Sequence, residues 1–133
     1  MRAFPLEIVT PDGLEFSGQA ESLLIRTKDG DVEILAGHAD FLGSLGIGRA
    51  RIIIDGNSRL ASLAGGFISV KEGRVKVVAT TFEFSEDIDL ARAEAAKERA
   101  EAQIRATKNQ RELTLAEARL KRALNRISVK TTK

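Results

Sequence analysis

The chain contains no cysteine, tryptophan or tyrosine, and it has a single histidine, His38. Without cysteine it can form neither a disulfide framework nor a thiolate metal site, and it has no thiol nucleophile. One histidine leaves a zinc ion without a second nitrogen ligand, and a serine triad needs further partners around its base. Because the segment LAGHADFL offers no evident partners, we interpret His38 as a turn or packing residue. The sequence therefore argues against an enzyme.

Motifs for phosphate loops and for nucleic-acid binding are also missing. There is no GxxxxGK[ST], the loop that cradles phosphates in P-loop proteins, and AGGF at 64–67 is better explained as a bulge or tight crossing in a strand. The six phenylalanines are scattered, which leaves no stacking platform for single-stranded nucleic acid. With 21 basic and 19 acidic residues, the net charge of +2 is too small to predict a nucleic-acid partner.

A membrane span is not predicted either. The longest apolar stretches, such as RIIID and SLAGGFISV, fall well short of the roughly 20 residues that a spanning helix needs. The N-terminal MRAFPLEIVTPDG lacks the apolar core of a signal peptide. We therefore expect no direct membrane span, and we expect any membrane role to pass through a partner protein.

The two parts of the chain differ in composition. From Leu6 to about Phe84, short apolar stretches alternate with Asp-Gly or Glu-Gly turns, which is typical of strands and hairpins. After Ser85 the helix formers Ala, Glu, Arg, Lys and Leu dominate, with no Gly or Pro. We therefore predict an all-β N-terminal domain over residues 1–84, followed by an antiparallel α-helical hairpin over residues 85–133. The predicted strands lie in EIVTPDGLEF, LLIRTKDGDVEIL, RIIIDGNSRLASL and ISVKEGRVKVVATTFEF.

The helical part carries its own start, break and end signals. Ser85 or Asp87 is predicted to cap the first helix, with acidic residues in its first turn. The helical pattern breaks at ATKNQ, where Asn109 is expected to adopt a left-handed conformation, and the second helix then runs to about Ser128. The short break predicts that the two helices pack as an antiparallel pair.

The expected contact between these helices is antiparallel, with an alanine face on the first helix packed against a leucine face on the second. The stripe on the first helix consists of Ala93, Ala96, Ala100 and Ile104. The matching stripe on the second consists of Leu113, Ala116, Leu120, Ala123, Leu124 and Ile127. Asp89 falls within the first stripe, where a carboxylate costs free energy unless it meets hydrogen-bond donors.

Arginines supply such donors. Arg92 and Arg99 lie on one edge of the first helix, and the second helix carries a stripe formed by Arg111, Arg119, Arg122 and Arg126. Folding the hairpin brings several guanidinium groups toward Asp89 at its open end. One interpretation is that they form weak surface ion pairs with Glu94, Glu98, Glu101 and Glu117. The other is a phosphate site, because bidentate guanidinium suits phosphate oxygens, with Asp89 accepting from the amine or hydroxyl of a nucleotide.

Docking is a second use for the arginines of the second helix. If the hairpin opened, an acidic segment of a partner could bind the stripe of Arg111, Arg119, Arg122 and Arg126. The contact between the helices, which is mostly alanine, buries little apolar area. The closed hairpin is therefore expected to lie only a few kcal/mol below an extended one, and it is predicted to be a switch.

The whole chain resembles the epsilon subunits of bacterial F-type ATP synthases. In the first domain the resemblance rests on VTPDG with Phe16, on TKDGDVEILAGHADFL and on AGGFISVKEGRVKVVA, although Glu33 stands where the family usually has glycine. In the second domain, IDLARA at 88–93 matches the nucleotide-binding signature of epsilon subunits that bind ATP, and KRALNR at 121–126 resembles the end of their second helix. The resemblance implies a flattened β-sandwich for the first domain.

The resemblance also implies a regulatory site for ATP. Asp89 would recognise the adenine side, with Ile88 and Ala93 as apolar contacts and Glu83 as a further polar contact. The phosphates would be held by Arg92, Arg99, Arg122 and Arg126. ATP would be a regulatory ligand and not a catalytic cofactor. The need for magnesium stays open, because one or two carboxylates need not hold a metal.

In this family the contracted hairpin permits ATP hydrolysis, and the extended hairpin inhibits it. The implied partners are the gamma subunit, the rotor c-ring and the catalytic beta and alpha subunits, at the cytoplasmic face of the bacterial membrane. ATP that binds only the contracted form would shift the population toward it. Two other functions stay open: a constitutive stalk connector without appreciable nucleotide binding, and a free-standing nucleotide sensor.

Overall fold

A computed structural model of the chain describes residues 2–132 and contains two compact units, Met1–Phe84 and Ser85–Lys133. Met1 and Lys133, the outer limits of the two predicted domains, lie outside the described residues. The strands of the first unit are β1 (Phe4–Thr10), β2 (Gly13–Ala20), β3 (Ser22–Thr27), β4 (Gly30–Leu35), β5 (Phe41–Ile54), β6 (Asn57–Lys71) and β7 (Arg74–Phe84). The second unit contains a 3₁₀ turn, Ser85–Asp87, and the helices α1 (Leu90–Ala106) and α2 (Gln110–Thr131).

The seven strands form one hydrogen-bonded sheet in the order β2-β1-β7-β6-β5-β3-β4. Neighbouring strands are antiparallel except for β1 and β7, which run parallel. The pairing of β5 with β6 is interrupted at residues 45–46, opposite residues 65–66, and the sheet bends so that β2 approaches β5. One cluster of buried apolar side chains, contributed by all seven strands, fills the interior. The predicted β-sandwich is confirmed.

Two-residue turns join the central strands. Asp55 and Gly56 connect β5 to β6 with φ angles of 50° and 79°, and Glu72 and Gly73 connect β6 to β7 with φ angles of 51° and 78°. Positive φ at both turn residues matches the right-handed twist of the flanking strands. The hairpins predicted at these two positions are confirmed.

The AGGF segment lies inside β6, where it crosses β7 closely. Gly66 has a φ of 102°, and a Cβ atom added there would collide with the carbonyl oxygen of Val78. Only glycine combines this conformation with so close an approach of two backbones. The prediction of a tight crossing is confirmed.

Sequence reasoning misses the first half of β5, FLGSLGIG. Its three glycines break the alternation of apolar and polar residues that marks a strand. Pairing with β6, from Phe41 opposite Val70 to Ser44 opposite Phe67, nevertheless holds the segment in the sheet. Here the tertiary context overrides the local preference of the residues.

The second unit folds as the predicted antiparallel hairpin, but α1 begins later than expected. Asp89 is the N-cap of α1, in an extended conformation, and its side chain accepts a hydrogen bond from the backbone N–H of Arg92. The prediction that Ser85 or Asp87 caps this helix is wrong, because both residues belong to the preceding 3₁₀ turn. An extended aspartate directly before the helix satisfies a backbone donor that the helix itself leaves unpaired.

The break between the helices falls where ATKNQ predicts it, at residues 107–109. The conformation of Asn109 differs from the prediction: its φ of −97° and ψ of 127° are extended and not left-handed. Its side chain accepts from the N–H groups of Arg111 and Glu112 and so caps α2. This helix continues to Thr131, beyond the predicted end near Ser128.

Four alanines are buried where the two helices pack together. Ala93 and Ala100 of α1 and Ala116 and Ala123 of α2 are buried, whereas Leu113, Leu120 and Ile127 are only partly buried. The expected packing of alanine against leucine is therefore wrong at the centre, where alanine faces alanine. Leu124 is 46% exposed, because one residue after Ala123 turns it about 100° away from the contact.

Candidate functional site

Asp89 has a structural role at the start of α1. Its Oδ1 accepts a hydrogen bond of 3.1 Å from the backbone N–H of Arg92, and the residue is exposed. Asp89 therefore lies outside the buried contact between the helices, contrary to the prediction. The cap uses one carboxylate oxygen, which leaves Oδ2 available to a ligand.

The buried alanines fix how the two helices align. Ala93 and Ala123 are equally distant along the chain from Lys108 in the turn, and so are Ala100 and Ala116. In an antiparallel pair these residues lie opposite each other. Every other residue of the hairpin can then be placed by its rotation of about 100° per residue around its own helix.

All six predicted arginines fall on one side of this contact, a surface that we name the arginine edge. It consists of Arg92 and Arg99 on α1 and of Arg111, Arg119, Arg122 and Arg126 on α2. On each helix, the arginines are rotated about 60–140° around the helix axis from the buried alanines, all in the same direction. Because the helices are antiparallel, this direction leads to the same side of the hairpin for both. Along the hairpin, Arg92 lies between the levels of Arg122 and Arg126, near the open end where Asp89 begins α1.

The glutamates considered as alternative partners lie on the opposite side. They are Glu94, Glu98 and Glu101 on α1 and Glu117 on α2, rotated by about 80–140° in the other direction. These four glutamates and the six arginines therefore lie on opposite edges of the hairpin. This placement disfavours the interpretation that these glutamates neutralise the arginines.

The contacts of the arginine edge agree with this separation. Within residues 2–132, the guanidinium groups of Arg92, Arg99, Arg111 and Arg122 form no ion pair or hydrogen bond. Nη1 of Arg119 donates to Oε1 of Gln103 at 3.4 Å. Arg126 is partly buried and has an interaction partner. Four of the six guanidinium groups thus have their donors open to solvent or to a ligand.

The remaining residues predicted to contact ATP lie in different units of the chain. Ile88 and Ala93 are buried, at 3% and 0% exposure, and belong to the hairpin unit. Glu83 belongs to the first unit, where it lies on β7 opposite Ser62 of β6 and has an interaction partner.

Other kinds of site receive no support from the described residues. Among residues 2–132, no group of three or more histidine, aspartate or glutamate side chains is arranged to hold a metal ion. Nδ1 of His38 lies 2.7 Å from the carbonyl oxygen of Ala39, and its ring packs edge-on to Phe41, as expected of a turn residue. Neither α1 nor α2, the α-helices of the described part of the chain, combines the length and apolar character needed to cross a membrane.

A second surface, on the sheet, is not evident from the sequence. Side chains that face outward at neighbouring register positions form an apolar band across five strands: Leu42 on β5, Phe67 on β6, Val78 on β7, Val9 on β1 and Leu14 on β2. Leu42, Leu14 and Phe67 are 74%, 62% and 44% exposed. Exposed apolar residues that line up across neighbouring strands form a candidate docking surface. Only the strand register brings these distant residues together.

Both units match known sequence families. Residues 3–85 match the family model of the ATP synthase delta/epsilon chain, beta-sandwich domain, and residues 86–131 match that of the ATP synthase delta/epsilon chain, long alpha-helix domain. The chain belongs to the ATP synthase epsilon-chain family. It is accordingly a non-catalytic subunit.

Curated relatives in the epsilon-chain family match over nearly their full length. The chain is similar to the ATP synthase epsilon chain of Ruminococcus albus, with 42% identity over 134 residues and full coverage of both chains. It is also similar to the ATP synthase epsilon chain of Bacillus velezensis, with 38% identity covering 97% of this chain and 98% of the relative.

Solved structures share the fold of the epsilon-chain family member described here. A chain in the Euglena gracilis mitochondrial ATP synthase matches with a TM-score of 0.81 and 22% identity, covering 92% of this chain and 78% of that chain. A chain in the central stalk and c-ring of the Tetrahymena thermophila mitochondrial ATP synthase matches with a TM-score of 0.67 and 13% identity, covering 96% of both. At these identities the likeness concerns the fold alone.

Proposed function

We propose that the chain is the epsilon subunit of a bacterial ATP synthase central stalk, and that its hairpin is an ATP-biased switch that regulates ATP hydrolysis. The observation that carries the nucleotide part is the arginine edge. Guanidinium groups that face away from the glutamates attract an anion, and their fork of donors suits phosphate oxygens. The signature IDLARA supplies Arg92 of this edge, and the segment KRALNR supplies Arg122 and Arg126.

In this proposal the site assembles only when the hairpin is closed. Arg92, Arg122 and Arg126 bind the phosphates near the open end, with Arg99 next along the edge. Asp89 accepts from the adenine amine through Oδ2, the carboxylate oxygen that the cap of α1 does not use. Because ATP binds the closed form and not the extended one, it stabilises the closed form by RT ln(1 + [ATP]/Kd).

The apolar band supports the stalk part of the proposal. A central-stalk subunit needs a permanent contact with its neighbours, and a contiguous apolar surface provides one. The partners we propose for the first unit are the gamma subunit and the rotor c-ring. In the extended hairpin, acidic segments of the catalytic alpha and beta subunits dock on the arginines of α2, which are Arg111, Arg119, Arg122 and Arg126. With these partners, the proposed location of the chain is the cytoplasmic face of the bacterial membrane.

Calorimetric titration with ATP tests the nucleotide site. Arg122→Gln is expected to weaken ATP binding by about tenfold or more, because a charge-assisted hydrogen bond contributes roughly 1.5–3 kcal/mol. Lys121→Gln is the matched control, since it removes one charge from the neighbouring residue, which faces the other side of α2. An equal loss of ATP affinity in both variants would show that the effect comes from net charge alone. No binding of wild type at millimolar ATP would leave the constitutive connector as the function.

Co-purification with the gamma subunit tests the apolar band separately. Phe67→Glu places a charge within the band and is expected to abolish the association. Leu35→Glu is the control, because Leu35 is similarly exposed at 46% but lies on β4, outside the band. Retention of the gamma subunit by Phe67→Glu would show that this surface is not the docking site.

A further inference from the structure

The open end of the hairpin is held by two hydrogen bonds between residues far apart in the chain. Oγ of Ser85, in the 3₁₀ turn, donates to the carbonyl oxygen of Val129 at 3.4 Å. Nζ of Lys130 donates to the carbonyl oxygen of Ser85 at 3.1 Å. We name this pair of bonds the clasp. It joins the first and last turns of the hairpin unit.

The clasp supplies a hydrogen-bond donor to a carbonyl group at the C-terminus of α2. The last four carbonyl groups of a helix have no partner within the helix. Near the C-terminus of α2, the carbonyl of Ser128 accepts from the N–H and Oγ1 of Thr132. The carbonyl of Val129, in contrast, accepts from Ser85 at the opposite end of the unit. Ser85 therefore completes the end of α2 only while the hairpin is closed.

The surroundings of the clasp strengthen it. Val129 is fully buried, and Ser85 and Lys130 are partly shielded from water. A charge-assisted bond from an ammonium group is stronger than a neutral one, and a lower local dielectric strengthens it further. The carbonyl of Ser85 also accepts from the N–H of Ile88 at 3.2 Å, so the acceptor is held in place by the 3₁₀ turn itself.

We propose that the Ser85–Lys130 clasp is a latch that sets the equilibrium between the closed and extended hairpin in the absence of nucleotide. Separation of the helices at the open end breaks both bonds, whereas the turn at residues 107–109 is capped by its own side chains. This inference rests on the proposed function in one respect, which is that the hairpin has an extended state. The latch acts on the hairpin before ATP is present, and it makes the closed form available to bind ATP.

The absence of cysteine makes the latch directly measurable. Two introduced cysteines, Glu94→Cys and Leu124→Cys, place spin labels on exposed positions opposite the arginine edge, one on each helix near the open end. Pulsed electron paramagnetic resonance then gives the distance distribution of the full chain without ATP. Circular dichroism confirms that each variant keeps its helices.

Lys130→Met and Ser85→Ala are each expected to increase the ratio of extended to closed hairpin about three- to tenfold, as the loss of one hydrogen bond predicts. Lys121→Met, which removes the same charge from the outer side of α2, is expected to leave the distribution unchanged. Each single variant removes a different one of the two bonds, so the double variant is expected to increase the ratio more than either variant alone. If both single variants gave the same distribution of label distances as Lys121→Met, the latch would be overturned.

The same labelled chains separate this inference from the proposed function. If the clasp variants open the hairpin and added ATP closes none of the chains, the latch stands and the ATP site fails. If ATP closes wild type but the clasp variants match wild type without ATP, the ATP site stands and the latch fails.

Discussion

Asp89 and Arg92, two residues of the proposed ATP site, are already joined in the free protein, because Oδ1 of Asp89 caps α1 through the backbone N–H of Arg92 at 3.1 Å. The side chain of Asp89 thus caps a helix and is also proposed to bind a ligand. A simple alanine substitution would remove both roles at once. A variant that keeps the cap is needed to distinguish them.

Asp89→Ser keeps a capping oxygen but removes the carboxylate, whereas Asp89→Ala removes both. We expect both variants to lose ATP affinity in calorimetric titration, since neither reaches the adenine amine. Only Asp89→Ala should also lower the stability of the hairpin, by about 1 kcal/mol in thermal unfolding followed by circular dichroism. Normal ATP binding by Asp89→Ser would make Asp89 a cap and nothing more.

The alanine contact between the helices predicts a size limit. Ala100→Leu places a larger side chain where the residue is 1% exposed, and overpacking of this kind costs about 1–3 kcal/mol. Ala102→Leu, two residues further along α1 and exposed, should change stability by less than about 0.5 kcal/mol. Spin labels at positions 94 and 124 should report an opened hairpin for the first variant alone. A closed hairpin in Ala100→Leu would show that the contact has room to adjust.

Much of the fold can be predicted from the sequence because its signals are local. Asp-Gly and Glu-Gly turns bounded by alternating residues predict hairpins, and the change to Ala, Glu, Lys and Arg after Ser85 predicts helices. The glycines of FLGSLGIG conceal a strand, because pairing with β6 and not local pattern decides its conformation. The helix ends were less predictable for a related reason. Several polar residues near each end can cap, and geometry selects Asp89 and Asn109.

The two surfaces differ in how far the sequence reveals them. The arginine edge can be predicted, since helical periodicity places Arg92, Arg122 and Arg126 once the turn is located. The apolar band cannot, because Leu14 and Phe67 are brought into line only by pairing across β1 and β7. The clasp is equally hidden: Ser85 and Lys130 carry no motif, and their contact depends on the register of the hairpin.

The crossing of β6 over β7 predicts a strong effect at one glycine and a weak one at another. In Gly66→Ala the added methyl group collides with the carbonyl of Val78, and φ is also unfavourable, so the free energy of unfolding should fall by about 3 kcal/mol or more. Gly56→Ala shares the positive φ but has open space around it, so the cost should stay near 1 kcal/mol. Urea denaturation followed by circular dichroism compares the two. Equal losses would mean that φ alone, and not the crossing, accounts for Gly66.

The ion pair at the β3–β4 hairpin predicts a small dependence of stability on pH. Nε of Arg26 donates to Oδ1 of Asp31 at 2.6 Å, and this hydrogen bond lowers the pKa of Asp31 below its ordinary value of 3.8. The stabilisation is therefore present above pH 3.8 and is lost as the pH falls through the lower pKa of the folded state. Both side chains are more than 40% exposed, so the contribution stays below about 1 kcal/mol.

Carboxyl-carbon nuclear magnetic resonance measures this pKa directly. The titration midpoint of Asp31 should rise toward its ordinary value in Arg26→Gln, which removes the charged donor. An unchanged midpoint in that variant would assign the shift to some other neighbour.

The parallel pairing of β1 with β7 has a consequence for synthesis. Leu6 of β1 pairs opposite Val75 of β7. During synthesis, β1 therefore cannot complete its pairing until β7, the last strand of the unit, has left the ribosome. Until then β1 can pair only with β2, and its other edge stays open. Such long-range pairing is slow, because a long loop must close before any contact compensates for the lost chain entropy. The sheet therefore closes late in translation, shortly before the hairpin emerges. In the cell, the half-made first unit is the stage at which we expect this chain to need protection from aggregation.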